Sequence, residues 1–387
     1  MNVLLVSYYA PPTSTPRAVR LANLVQALVR RGHRVQVLTS VNTGKDTLNL
    51  KKLVGSDLVE VPLGPFGRAQ LRGSARSTSD SGAPAPKWKA KLKGIAHGLL
   101  FPEWQSEWVF QAQAVIPKLG RPDRVVSLVA PFSGAILGTK LAKKYGVPHI
   151  VDYGDPWSHS VDRGLNWRRP LDRLAEKRVI SGARALVVNA DLHADRLREV
   201  FPSAPEVGCF WNGYDPTDFS TNNVEVGTEF RHVGQLYSAR LSLEPLFQVL
   251  PEFPGLFPLH QVGPSFGDQP SELIVHPAVS FAESLRQMQT AKALCLLGSP
   301  GDFQLPSKIF HYVGSGRPFL IVVGGERHAY SSLPLGDRAV VAQNTPEALR
   351  DGLKQLTERV GKSYPPLAEF FAETIMDRYV TAIEGWA

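Results

Sequence analysis

The sequence predicts an α/β chain of two doubly wound, Rossmann-like domains. Three observations lead there. Val3 to Tyr8 is a continuous apolar run, the mark of a parallel strand buried on both faces. An amphipathic helix follows, carried by Val19, Leu21, Leu24, Val25 and Leu28 and stopped at Gly32, and then a second strand from Arg34 to Thr39, which together make a right-handed βαβ unit. The same alternation returns in the second half, and 387 residues are comfortable for two such cores but long for one.

Composition narrows the function classes. The chain is 43% hydrophobic and 20% charged, ordinary for a globular protein. No run of about 20 apolar residues is present, so no transmembrane helix is expected. MNVLLVSYYAPP has no basic region ahead of its apolar run and reads as a strand, not a signal peptide. Cys209 and Cys295 lack ligand spacing, which fits a reducing compartment, no disulfide framework and no metal site. The net charge of +8 invites an anionic partner: nucleic acid, an anionic membrane face or a nucleoside diphosphate. No helix-turn-helix, RNP-like or zinc-finger pattern occurs, and nucleic acid is not expected.

In chain order, the first strand leads through Ala10–Pro16 to a helix start bearing Arg17 and Arg20, either of which could meet a phosphate or simply be solvated. From Gly64 to about residue 100 the composition shifts to an insert, low in complexity at Gly73–Gly82 and basic at Lys87–Lys93. That basic segment, with Trp88 as an anchor, can sit on an anionic bilayer or form a solvated helix. Arg124–Val129 and Val147–Val151 read as strands, the second running into Asp152-Tyr153-Gly154-Asp155-Pro156-Trp157. An Asp at the carboxyl end of a parallel strand can bind a hydroxyl or take its proton, and Asp155 can equally cap the turn at Pro156. Residues 171 to 180 and His193–Val200 read as helices, with Ala185–Val188 a strand between them. Asn212-Gly213 supplies a tight turn, and the domain boundary falls within residues 205 to 228.

In the second half, Phe230–Gly234 reads as a strand entering a loop through Gln235, Tyr237 and Arg240; an arginine fork there suits two phosphate oxygens. Leu259–Val262, Pro277–Phe281 and Ala293–Leu297 read as strands, with a helix at Glu283–Thr290. Leu305–Val323 then opens a helix at Pro306, places Ile309, Phe310, Tyr312 and Val313 on one side, and turns at Gly314 and Gly316 into a buried strand. The last helix spans Ala368–Ile383.

These segments carry a family resemblance. Pro11-Pro12, Arg17, Arg20, Arg31-Gly32-His33 and Val35–Thr39 resemble the opening of glycosyltransferase family 4, and Asp152–Trp157 is similar to the D-x-R-D-P-W motif of its envelope-polysaccharide branch, with Gly154 where an arginine is common. Phe210–Phe219 resembles the family's N-G-x-D turn, Phe230–Arg240 its phosphate loop, and Leu305–Val323 its donor-binding signature. The resemblance implies the GT-B fold, two Rossmann-like domains facing across a cleft: residues 1–210 for the acceptor, 211–367 for the nucleotide sugar, and 368–387 as a helix crossing back to the first domain. It implies transfer of a sugar from a UDP- or GDP-linked donor to a glycan or lipid-linked acceptor in the cell envelope, with retention and without a metal or other cofactor. The protein is then expected in the cytoplasm, peripheral at the inner membrane face.

On the same analogy Asp155, Arg240 and Lys308 are catalytic. Gly234, Gln235, Tyr237, Arg240, Ser307, Lys308 and His311 bind the donor, and Arg17, Asp152, Asp155 and Trp157 the acceptor. The family often carries two glutamates where this chain has Phe303 and His311. That departure keeps open a catalytically silent sugar-nucleotide-binding protein, and the fold itself leaves room for a sugar-nucleotide epimerase or hydrolase.

Overall fold

The structure, a computed structural model, describes residues 1–13, 15–41, 50–69, 100–160, 166–219, 224–236, 241–298, 301 and 303–386. Tyr237, Arg240 and the basic segment Lys87–Lys93 lie outside the described residues. The chain forms two compact units. One comprises residues 1–188, 197–209 and 376–387, the other residues 189–196 and 210–375.

The first unit carries seven parallel strands: β1 (Asn2–Ser7), β2 (Arg34–Ser40), β3 (Leu58–Val61), β4 (Arg124–Val129), β5 (His149–Tyr153), β6 (Ala185–Val188) and β7 (Glu206–Cys209), in the order β3-β2-β1-β4-β5-β6-β7. Its helices include α1 (Pro16–Arg30), α2 (Leu50–Val54), α3 (Glu107–Ala112), α4 (Ser133–Tyr145), α5 (Arg169–Ser181) and α6 (Asp191–Val200), the last beginning in the second unit. The chain runs outward from β1 to β3, then returns to place β4 beside β1 and runs the other way. The β1/β4 junction is thus the topological switch point, where the loops after the two strands diverge and leave room for a ligand.

The second unit repeats the plan with β8 (Phe230–Val233), β9 (Leu259–Val262), β10 (Ile274–His276), β11 (Ala293–Leu297), β12 (Phe319–Val323) and β13 (Ala339–Gln343), ordered β10-β9-β8-β11-β12-β13. Its helices include α7 (Glu244–Val249), α8 (Phe281–Gln289), α9 (Lys308–Gly314) and α10 (Pro346–Thr357), and α11 (Ala372–Gly385) begins in it. The switch point here is β8/β11. Both faces of this sheet are covered. Leu294, Leu296, Phe319, Ile321 and Val323 enter one core with Ile309, Phe310 and Tyr312, while Cys295, Leu297, Leu320 and Val322 enter the other with Leu349 and Leu353. That two-sided burial is why these strands read as unbroken apolar runs rather than alternating ones.

Local chemistry sets the ends. Thr15 caps α1, its hydroxyl accepting from the Ala18 amide, and Pro16 occupies the first turn. Gly146 closes α4 at φ +66°. The expected strand at Pro277–Phe281 is corrected: β10 ends at His276, and Ser280 caps α8 by accepting from the Glu283 amide at 3.2 Å. The expected helix start at Pro306 also moves, to Lys308. The four-residue edge strands β3 and β7 were not anticipated. From Met376 onward α11 belongs to the first unit, within which Arg30 and Arg31 pair with Asp377 and Glu384. No described helix is long and apolar enough to cross a membrane.

One contact measures how tightly α4 sits on its sheet. A β-carbon on Gly138 would fall 1.8 Å from Ser127 Oγ and 2.6 Å from His149 Nε2, two atoms joined by a 2.8 Å hydrogen bond. Burial pushes the His149 imidazole down to about 3, so it stays neutral. Gly138→Ala is therefore expected to cost about 1–3 kcal/mol through overpacking, whereas Gly325→Ala, with nothing within 4 Å, changes stability little. Urea unfolding of the two variants checks the contrast; equal midpoints would refute the close packing.

Candidate functional site

In the second unit, the loop after β8 and the loop after β11 diverge at the switch point, and Lys308, the first residue of α9, lies at their meeting. Tyr312 fixes the helix there: its hydroxyl accepts from the Val233 amide at 3.0 Å and donates to the Cys295 carbonyl at 3.1 Å, tying α9 to β8 and β11 together. Lys308 and Gly234 are adjacent. A β-carbon at Gly234 would sit 3.0 Å from Lys308 Nζ, and its φ of +120° is one that favours glycine.

Two residues that the sequence reading did not single out orient this lysine. Gln261 Nε2 donates to the carbonyls of Gly234 (2.6 Å) and Gly263 (3.1 Å). With its amide hydrogens on two carbonyls, Gln261 must present its oxygen to His232, which can only donate to it from Nδ1–H. His232 Nε2 then holds a lone pair and accepts from the Lys308 ammonium at 3.0 Å. Each bond fixes the polarity of the next, from Gln261 through His232 to Lys308. A sequence signal exists: His232-Val233-Gly234 and Gln261-Val262-Gly263 repeat polar-Val-Gly, and His232 and Gln261 are register partners on neighbouring strands.

The other donor-side expectations fall out unevenly. Ser307 occupies the N-cap position of α9 but makes no capping hydrogen bond. The amides of Ile309 and Phe310 donate to the carbonyls of Pro306 and Ser307. His311 stands edge-on to Phe281 of α8 at 5.5 Å, and burial pushes its imidazole down to about 4, so it is neutral near pH 7. Gln235 follows Gly234 in the loop after β8 and is partly exposed. A cavity of about 740 Å³ opens between the loops after β8 and β9, lined by Leu236, Phe247 and Phe266 with Glu244, Asp268 and Glu272. Its described lining carries no cation, and it touches neither Lys308 nor Gly234.

In the first unit, Asp152, the penultimate residue of β5, has 0% exposure. Arg20 Nε donates to its Oδ2 at 2.8 Å, Arg17 Nη1 lies 3.6 Å from Oδ1, and the Arg20 guanidinium covers the Tyr379 ring at 5.5 Å. Burial pulls the Arg17 guanidinium below the usual arginine range, against the opposing pull of Asp152. Gly154 makes this packing possible, because a β-carbon there would fall 1.0 Å from Arg17 Nη2. Trp157 is also interior: it stacks on Phe132 at 4.9 Å and donates its indole N–H to Asp172 at 3.0 Å. Asp152 and Trp157, expected on the acceptor side, are both fully buried: one is the counter-ion of buried Arg20 and part-buried Arg17, and the other a packing element with its polar atom bonded. Asp155 is exposed, and Arg17 retains a small exposed surface.

Removing the buried carboxylate leaves two desolvated guanidinium groups beside each other. Asp152→Ala should lose about 3–5 kcal/mol. Denaturant titration measures the loss, and a fully stable Asp152→Ala would contradict the counter-ion role.

Comparison with known proteins gives this geometry its context. The family model described as a glycosyl transferase 4-like domain matches residues 18–213. Among solved structures, sucrose-phosphate synthase from Thermosynechococcus elongatus superposes with a TM-score of 0.64 at 12% identity, covering 100% of this chain and 94% of that one. The lipopolysaccharide outer core galactosyltransferase WaaB gives 0.62 at 14% identity, and Anabaena HepE in complex with UDP and glucose gives 0.59 at 11%, each covering 100% of both chains. At such identities the likeness is one of fold, the two-domain GT-B architecture. No curated protein matches the chain. With the family match spanning half its length, the chain belongs to the glycosyl transferase 4-like family and is a GT-B glycosyltransferase, an enzyme of sugar transfer.

Proposed function

We propose that this enzyme moves a sugar from a nucleoside-diphosphate sugar to a glycan or lipid-linked acceptor of the cell envelope, with retention of anomeric configuration and without a catalytic metal. The observation that carries the donor assignment is the oriented ammonium of Lys308 beside Gly234 at the β8/β11 switch point. A diphosphate leaving group gains negative charge as the glycosidic bond breaks. A cation already held in place stabilises that charge without reorganising. Gly234 lets the phosphate approach the backbone, and Arg240 supplies a second, forked cation. Gln235, Tyr237, Ser307 and His311 complete the donor side; His311, being neutral, offers a hydrogen bond to a hydroxyl rather than a charge.

Arg17 and Asp155 are the acceptor-side residues in this reading, with Asp155 placed to orient the attacking hydroxyl. Support for a nucleotide sugar also comes from the fold's relatives. HepE is described with UDP and glucose, and UDP-GlcNAc 2-epimerase from Methanocaldococcus jannaschii, at a TM-score of 0.54 and 11% identity, with UDP-GlcNAc and UDP. The second relative, together with Phe303 and His311 in place of acidic residues, favours two rival readings: epimerisation, and binding without turnover.

Incubation with UDP- and GDP-sugars, with and without lipid-linked acceptors, separates the three. Acceptor-dependent product supports transfer; acceptor-independent isomerisation supports the epimerase; tight binding with no product supports the silent protein. Within transfer, Lys308→Ala and Arg240→Ala should each lower kcat/KM by about 10²–10³-fold in a folded protein. His232→Ala keeps the ammonium but removes its hold, so kcat should fall about tenfold with a smaller change in the Kd for UDP or GDP. Wild-type rates in folded Lys308→Ala would refute the donor assignment.

A further inference from the structure

The outer face of α5 combines features that no part of the transfer reaction uses. Trp167, in the turn that opens the helix, is 68% exposed, and Leu171 and Leu174, four and seven residues on, are 50% and 47% exposed. At 3.6 residues per turn these three side chains share one arc of the surface. Phe101, 37% exposed, is joined to them by Arg168, whose guanidinium lies 5.5 Å from the Phe101 ring and 5.6 Å from that of Trp167. Single exposed apolar residues need no explanation, but a contiguous aromatic and aliphatic stripe does.

The charges of the helix are sorted by sign. Both acids point inward: Asp172 accepts from the Trp157 indole at 3.0 Å, and Glu176 from the Ser158 amide at 2.9 Å. The four exposed charges are all cations, Arg169, Arg173, Lys177 and Arg178. Elsewhere exposed arginines commonly find a carboxylate, as in Arg34–Asp57, Arg286–Glu283 and Arg350–Glu252. None of the four on α5 has an ion pair among the described residues, and Arg173 reaches only the Val200 carbonyl at 3.4 Å.

We propose that this face of α5 docks on an anionic lipid bilayer, with Trp167, Leu171 and Leu174 entering the interface and the cations alongside meeting lipid headgroups. The charge pattern selects this occupant. A second copy of the chain on a two-fold axis would set the same four cations against each other. A bilayer offers anionic headgroups above an apolar layer, in the vertical order that this face requires. At 13 residues α5 is about 20 Å long and polar on its flank, so it lies in the interface and does not span. The proposal does not depend on the donor assignment.

Flotation of the full chain with vesicles of phosphatidylglycerol and phosphatidylcholine, against phosphatidylcholine alone, tests the proposal. Wild type should float with the anionic vesicles, and less so as salt rises. Trp167→Ser/Leu171→Ser/Leu174→Ser should weaken partitioning about a hundredfold, and neutralising the cations with glutamine about fivefold for each one removed. Brominated phosphatidylcholine mixed into the anionic vesicles should quench wild-type tryptophan fluorescence but not that of Trp167→Phe. No binding by wild type, unchanged binding by both folded variants, or equal quenching in Trp167→Phe would overturn it. So would a dimer in light scattering that the serine variant abolishes without loss of lipid binding.

Discussion

Gln261 directs its amide hydrogens to the carbonyls of Gly234 and Gly263, and the geometry of the donor-side site follows from that. Once the amide nitrogen is committed, its oxygen must accept, His232 must carry its proton on Nδ1, and Lys308 must be the donor to Nε2. The tautomer is a consequence of hydrogen-bond polarity, not a separate assumption. The two carbonyls are available because Gly234 and Gly263 both hold φ near +120°, turning the backbone where β8 and β9 end. Parallel strands covered on both faces leave little else open to chemistry than the loops at their carboxyl ends.

The first unit solves a different problem with the same topology. Arg17, Arg20 and Asp152 place two cations and one anion at the end of β5, with Tyr379 beside them. Burying an uneven set of charges is costly, and the arrangement persists because the geometry is tight: a 2.8 Å bond from Arg20, a ring under its guanidinium, and no side chain at Gly154 to obstruct Arg17. The space that a side chain at Gly154 would fill holds a guanidinium from α1 instead.

Much of the fold was legible because burial on both sides writes itself as unbroken apolar runs. Val3–Tyr8, Ala293–Leu297 and Phe319–Val323 needed no alignment to be read as strands. Short edge strands such as β3 and β7, with four residues each and one open side, left no such run. Val279 and Phe281 suggested a strand, but the local bond from Ser280 to Glu283 starts a helix there, and capping outweighs β propensity over so few residues. The site was less legible. Asp152 looked functional because an acid near a strand end can bind a hydroxyl, and Trp157 because it stands in the segment that carries the family resemblance. A buried counter-ion and a packed indole leave the same mark in sequence, and only the partners Arg20 and Asp172 tell them apart. His232 and Gln261 were passed over because one polar residue near a strand end is unremarkable; their meaning lies in being side by side.

The central claim is that the diphosphate of the donor meets the Lys308 ammonium at the β8/β11 switch point, and a structure with bound UDP or GDP tests it most directly. The account requires a β-phosphate oxygen within hydrogen-bonding distance, about 3 Å, of Lys308 Nζ, with the bond from Lys308 to His232 retained. A diphosphate bound away from Lys308, for example in the acidic cavity lined by Glu244 and Glu272, would contradict it.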